Sequence, residues 1–235
     1  MIIIGNGFIA KNLKKIKLKN KKTIFFASGV SNSNCKNALE FNREYIKLKA
    51  IKKNYSSYRF IYFSSCSVTD KSRKNNDYQK HKLRIERYIK NNIKNYKIFR
   101  IPEVIGNNKN SNTLLNFFFN SFKNNKKIQT SHNAYRNLID IKKIILTVEF
   151  ILNNNYKKRT IDIVNLNYYS TIEIISCFEK IFKKKIKYIT NTKYDNIDKY
   201  KVDFNFIEKI YNKMDIKFKK NYLCMELKKI YNQLI

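Results

Sequence analysis

A chain of 235 residues with 43% apolar side chains is long enough for one ordinary domain carrying a small appendage, and apolar enough to exclude wholesale disorder. No run reaches the roughly 18 apolar residues that a membrane span needs, so membrane insertion is not expected. The net charge of +33 invites a nucleic-acid reading, but lysine supplies most of it and is spread along the whole chain, so specific nucleic-acid binding is not expected.

The opening Met-Ile-Ile-Ile is broken by Gly5-Asn6-Gly7 and lacks a basic leader, so it does not read as a signal peptide. Residues 2–4 predict a short buried strand, and Phe8, Ile9 and Leu13 then recur at helical spacing. A second strand is expected over 23–27, an amphipathic helix over 38–51, and a third strand over 59–63 that runs into Ser64-Ser65. A helix over 78–93 and a fourth strand over 97–101, closed by Pro102, complete the regular part. Strands alternating with helices of this length predict βαβ units on a parallel sheet. After Gly106 the rhythm loosens into Asn-rich loops. Helices near 113–122 and 141–152, a fifth strand over 160–164, a helix over 171–182 and a small mixed tail are expected there. Cysteines 35, 66, 177 and 224 show no CxxC and no paired spacing, and with 2 histidines they predict neither a zinc site nor a disulfide frame. A cytoplasmic protein is expected.

The first feature with chemistry is Gly5-Asn6-Gly7-Phe8-Ile9-Ala10, a GxGxxA turn directly after a strand and opening a helix. Gly5 permits the tight turn, Gly7 lets a pyrophosphate approach the backbone, and Ala10 keeps helix and strand close. The helix start offers N–H donors and the positive end of the macrodipole to an anion. Two of the chain's 4 glycines stand here, which argues against coincidence. No Asp or Glu lies between Ala10 and Ser28 to hold a ribose; Lys19, Lys21 and Lys22 could face a 2′-phosphate and favour NADP, but the lysine richness of the whole chain explains them equally well. NAD and NADP therefore stay equally open.

The second feature is Tyr78-Gln-Lys-His-Lys82, with Tyr78 and Lys82 four residues apart on one helix face. A nearby ammonium favours phenolate, which predicts a lowered Tyr78 pKa and a group able to move protons near neutral pH. Composition supplies such pairs by chance, and another stands at Tyr45 and Lys49. Only Tyr78 follows a strand ending in hydroxyls, with Ser65 placed to orient a carbinol or carbonyl beside the tyrosine.

In the order of these segments the chain resembles the extended short-chain dehydrogenase/reductase family, in the epimerase/dehydratase branch that acts on nucleotide sugars. Gly5–Ala10, the strand into Ala27-Ser28-Gly29, the strand into Ser64-Ser65, the Tyr78/Lys82 helix and Phe99-Arg100-Ile101-Pro102 through Gly106 match in sequence order. Arg136-Asn137-Leu138-Ile139-Asp140 is similar to the segment where the family's chain returns from its substrate lobe. The resemblance implies an α/β fold, a Rossmann-like doubly wound parallel sheet with a small C-terminal substrate lobe. It implies residues 1–106, rejoined by 136–165, as an NAD(P)-binding part, and 107–235 as a reduced substrate lobe. Tyr78 would be the general acid/base, Lys82 its partner on the nicotinamide ribose, and Ser65 the orienting hydroxyl, with Ser64 the alternative one residue earlier. Backbone at Gly5, Asn6, Gly7, Phe8 and Ile9 and around Ala27 and Ser28 would line the NAD or NADP pocket.

The chain departs from the family between the first helix and the Ala27 strand, where the stretch is much shorter. Strands two and three of the usual sheet, with their ribose-binding acid, are expected to be missing. Ser65-Cys66-Ser67 stands where 4,6-dehydratases carry Thr-Asp-Glu, so dehydration is not expected. Cys66 is similar to the Ser-Ser-Cys of the epimerase-reductases that make GDP-fucose, though a small buried core residue is the plainer reading. His132 before Arg136 is a substrate candidate, Arg136 and Lys109 are diphosphate candidates, and His81 is expected on a solvent face. The function implied is an NAD(P)-dependent 4-keto reductase or 4-epimerase of a nucleotide-linked sugar in polysaccharide or lipopolysaccharide biosynthesis. The alternative is a degenerate NAD(P)-binding regulatory or scaffold protein. A homodimer through the helices at 38–51 and 78–93 is expected by the same analogy.

Overall fold

The computed structural model describes residues 1–70, 76–108, 110–131, 133–191 and 199–232. In chain order, β1 (Ile2–Ile4) leads through α1 (Phe8–Leu13) to β2 (Thr23–Phe26), and α2 (Ala38–Asn54) leads to β3 (Arg59–Ser65). A single 3-10 turn at Cys66–Thr69 precedes α3 (Asp77–Asn92), β4 (Tyr96–Ile101), β5 (Glu103–Ile105) and α4 (Leu114–Lys123). Then follow β6 (Ile128–Ser131), β7 (Tyr135–Arg136), β8 (Leu138–Asp140), α5 (Ile141–Asn153), β9 (Thr160–Asp162) and β10 (Tyr169–Ser170). The chain continues through α6 (Thr171–Phe182), β11 (Tyr188–Asn191), α7 (Phe204–Lys213) and α8 (Tyr222–Tyr231). The strands and helices expected from hydrophobic period are present; the short pairs β5–β8, β6–β11 and β7–β10 carry too few residues to show a period.

Five strands form one parallel sheet in the order β1-β2-β3-β4-β9. Alternate residues feed opposite layers. Phe25, Ile61, Phe63 and Phe99 join Leu13 of α1, Ile144 and Val148 of α5, and Ile207 and Tyr211 of α7. Ile24, Phe26, Tyr62 and Ile98 join Leu48 and Ile51 of α2 and Ile85 and Ile89 of α3. Helices on both faces explain why β2 and β3 read as continuous apolar runs.

The step from β1 to β2 runs in the same direction across the sheet as the steps from β2 to β3 and β3 to β4. Yet α1 lies on one face and α2 and α3 on the other, so the β1–α1–β2 crossover has the opposite hand to its neighbours. Such connections are almost always of one hand, because a twisted sheet accepts the other poorly. The shortened sequence after α1 gives the physical reason. Among the described residues no strand pairs with the outer side of β1, which is therefore an edge, and strands two and three of the expected sheet are missing there.

A third cluster gathers Phe118 and Phe122 of α4, Phe178 of α6 and Leu227 and Tyr231 of α8. Here Cys177 and Cys224 are joined by a disulfide, 47 residues apart in sequence with Cα atoms 5.0 Å apart. This corrects the expectation of no disulfide: packing of α6 against α8 brings the two together, and no sequence spacing reports such a contact. At the start of α6, Ser170 accepts from Glu173 N at 3.1 Å while the Glu173 carboxylate accepts from Ser170 N at 2.7 Å. Ser170→Ala removes this reciprocal cap and is expected to lower stability by about 1 kcal/mol in urea unfolding. Among the described residues no helix is long and apolar enough to cross a membrane, and no cluster of His, Cys, Asp and Glu is placed to hold a metal ion.

Candidate active site

A cavity of 750 Å³ opens at the carboxyl ends of β1 to β4, where ligands bind in parallel α/β sheets. Its near end is the turn after β1. Gly5 has φ +123°, and a Cβ there would stand 2.3 Å from the Ala27 carbonyl oxygen, so only glycine lets β1 and β2 close up. Gly7 is ordinary extended backbone at the start of α1, and a Cβ there would meet nothing within 4 Å. Gly7, Phe8, Ile9 and Ala27 line the cavity; Gly5, Asn6 and Ser28 stand behind or beside it.

Ser65 closes β3 and caps the turn that follows, accepting from Ser67 N at 3.2 Å. Its hydroxyl pairs with that of Ser67 at 2.8 Å and acts on the Tyr78 phenol, whereas Ser64, one residue earlier, is buried. Tyr78 is placed by the cap of α3, where Asn76 accepts from Tyr78 N at 2.8 Å. Ser65, Tyr78 and Lys82 all line the cavity that Gly7 opens into. The expectation of a lowered Tyr78 pKa is corrected. Burial pushes the Tyr78 phenol up, and the opposing pulls of Lys82 and Ser65 do not cancel it.

A smaller contribution in the same direction comes from a residue that the sequence did not single out. Glu44 of α2 is fully buried, and the Lys82 ammonium donates to it at 3.2 Å and to the Tyr62 hydroxyl at 3.1 Å. Lys82 Nζ sits 5.6 Å from the centre of the Tyr78 ring. Burial opposes the Glu44 charge, but Lys82, His81, Val30 N and Tyr62 together hold its carboxyl below the usual carboxylate range. One signal was available: Glu44, Leu48 and Ile51 fall at helical spacing on one buried stripe, an odd place for an acid.

His81 is likewise corrected from a solvent face to the interior. It is 5% exposed, its Nε2 lies 2.9 Å from Glu44, and its ring stacks on Phe41. The buried arc of α3 takes in Tyr78, His81, Lys82, Ile85 and Glu86, wider than the apolar residues alone suggest. Cys66 is 1% exposed within the core rather than on the cavity wall, and burial, then Asp162, pushes its thiol well up. It has no access to a substrate. Arg136 lines the far cavity and donates to the Tyr135 carbonyl at 2.9 Å. Lys109 and His132 lie outside the described residues.

The far wall was read in sequence only as Asn-rich loop. It presents Ser31, Asn108, Asn110 and Thr113, with Asn110 Nδ2 donating to Ser31 Oγ at 3.2 Å across the two loops. Amides and hydroxyls of this kind match the hydroxyls of a sugar. Asp70, Glu103 and Tyr200 add polar groups nearby.

No protein-family model matches the sequence, and no curated protein matches it. Solved structures do match. RMD from Pseudomonas aeruginosa, solved with NADPH, superposes with a TM-score of 0.73 over 100% of this chain and 99% of that one, at 10% identity. UDP-glucuronic acid 4-epimerase from Bacillus cereus, solved with UDP-glucuronic acid and NAD, gives 0.68 over 98% and 80%, at 19% identity. The dTDP-glucose 4,6-dehydratase from Bacillus anthracis, solved with NAD, gives 0.68 over 91% and 72%, at 14% identity. At these identities the likeness is one of fold. The chain shares the Rossmann-type α/β fold of these structures, the fold class that the order of its motifs implied.

Proposed function

We propose that this protein is an NAD(P)-dependent oxidoreductase acting on a nucleotide-linked sugar, as a 4-keto reductase in the first place and a 4-epimerase in the second. One observation carries the reading: Ser65, Tyr78 and Lys82 line the same 750 Å³ cavity that Gly7 opens into. The neighbours solved with NADPH, NAD and UDP-glucuronic acid support the same assignment. Residues 1–106 with 136–165 would hold the dinucleotide, and the rest of the chain the sugar nucleotide.

The residues present fit the pyrophosphate and nicotinamide half of a dinucleotide. The space beside Gly7 is open, and the cavity runs from there to Tyr78. The adenosine half has less to meet, since β1 is the sheet edge. The chemistry such a dinucleotide supplies when bound is hydride transfer at the nicotinamide. Tyr78 holds the proton that a sugar carbonyl oxygen needs as it becomes a hydroxyl, and Ser65 orients that oxygen by hydrogen bonding. A phenol pushed up by burial keeps its proton at neutral pH, which suits reduction better than the base role an epimerase needs first.

Activity is tested by following dinucleotide absorbance with a panel of nucleotide-linked 4-keto sugars; consumption with at least one is expected, and none with any of them counts against the reading. Gly7→Arg fills the open space without disturbing the turn. It should keep the melting temperature and weaken dinucleotide binding at least about 100-fold, or roughly 3 kcal/mol. A homodimer through α2 and α3 is part of the proposal. Leu39 (79% exposed) and Ile46 (57%) of α2 stand out beside Leu83 of α3. Light scattering should then give twice the 28.3 kDa of one chain.

A further inference from the structure

Behind the catalytic wall lies a buried carboxylate for which the proposed chemistry has no assigned use. Glu44 collects Val30 N at 2.8 Å, the Tyr62 hydroxyl at 2.7 Å, His81 Nε2 at 2.9 Å and Lys82 Nζ at 3.2 Å. A carboxylate taken out of water persists only where such donors replace its hydration. The arrangement is also sterically reserved. A Cβ on Gly29 would stand 2.6 Å from Lys82 Nζ and 2.8 Å from Glu44 Oε1, so a side chain at residue 29 makes the pair shift from this geometry.

We propose that Glu44 is a positioning residue for the reaction proposed above: it holds Lys82 against Tyr62 behind Tyr78 and offsets the ammonium charge that faces the Tyr78 ring. The proposal rests on the reading of Tyr78 as the proton carrier. The charged and titratable groups acting on the Tyr78–Lys82 pair are Glu44 from α2, Tyr62 from β3, His81 from α3 and Glu103 from β5. Asp70, Arg136 and Tyr200 line the same cavity. Of the acids, Glu44 is the one within hydrogen-bond distance of the ammonium among the described contacts. Lys82 itself reaches the cavity, where water can solvate its ammonium once the Glu44 charge is gone.

The test is a pH titration of the free protein labelled with carbon-13 at the tyrosine ring, the Tyr78 resonance being identified by its loss in Tyr78→Phe. In Glu44→Gln the Tyr78 phenolate fraction at a given alkaline pH should rise about tenfold. Gly29→Ala changes no charge, pries Lys82 from Glu44, and should move Tyr78 in the same direction; it decides the matter if Glu44→Gln does not fold. A Tyr78 titration that is unmoved, or moves the other way, in the folded variants overturns the proposal. Failure of the underlying function would look different: wild-type protein that binds neither NADH nor NADPH, with Tyr78 still responding to Glu44.

Discussion

Tyr78→Phe is expected to lower turnover by about 10²- to 10⁴-fold, the range that a positioned proton donor supplies, while dinucleotide binding and fold survive. The ring is buried and stays so; the change removes one hydroxyl, at a cost of about 1 kcal/mol. Because the proton is needed only as the carbonyl oxygen gains charge, the loss should fall on kcat with KM little changed. Steady-state kinetics on the first active 4-keto sugar nucleotide checks this. A variant with unchanged kcat would remove Tyr78 from the chemistry.

Arg100→Met should be the most damaging single change to stability outside the apolar core. Glu86 is 1% exposed, and Arg100 donates to its two oxygens at 2.9 and 2.7 Å. Burial raises the Glu86 pKa, but the paired guanidinium outweighs it and holds the carboxyl below its usual range. Methionine fills the volume and leaves the buried charge with Lys90, at 3.5 Å, as its ion-pair partner, at a cost of about 3 kcal/mol near neutral pH. The pH dependence has a definite sign. In the wild type the pair stabilises above the unfolded carboxylate pKa, about 4.3, and that contribution is lost as pH falls through the depressed folded value. In the variant only Lys90, half in solvent at 3.5 Å, and Ser64 still oppose burial, so the Glu86 pKa rises and the stability contributed by the pair is lost. The gap between the two proteins in urea unfolding should therefore be widest near pH 7 and narrow towards about pH 4.

The parts of the site that were legible in sequence are those with a local cause. Gly5 and Gly7 sit on a strand–turn–helix step, and Tyr78 and Lys82 share a face by helical spacing alone. The α/β alternation followed from apolar runs at β2 and β3, which are continuous because helices cover both faces of the sheet, and from the shorter run in β4. What stayed hidden depends on distant segments meeting. Glu44 and Lys82 lie 38 residues apart, and nothing in either neighbourhood says that α2 and α3 bury them together. The raised Tyr78 pKa comes first from burial of the phenol, which the Tyr78–Lys82 spacing does not report, so spacing alone gave its sign wrongly. The Cys177–Cys224 disulfide and the His81 contact with Glu44 were unreadable for the same reason. The opposite hand of the first crossover was likewise out of reach, since a short connection indicates missing strands but not the face on which α1 settles.

The most direct test of the central claim is a calorimetric titration of the protein with NADPH and with NADH, at about 150 mM salt so that general attraction to a +33 surface is screened. Micromolar binding of one or both, lost in Gly7→Arg, is the predicted result: the half-site at Gly7 and Tyr78 then suffices despite the edge position of β1. Absence of binding by either would mean that a sheet lacking strands beyond β1 cannot hold the dinucleotide, and would contradict the assignment of this cavity to an NAD(P)-dependent reaction.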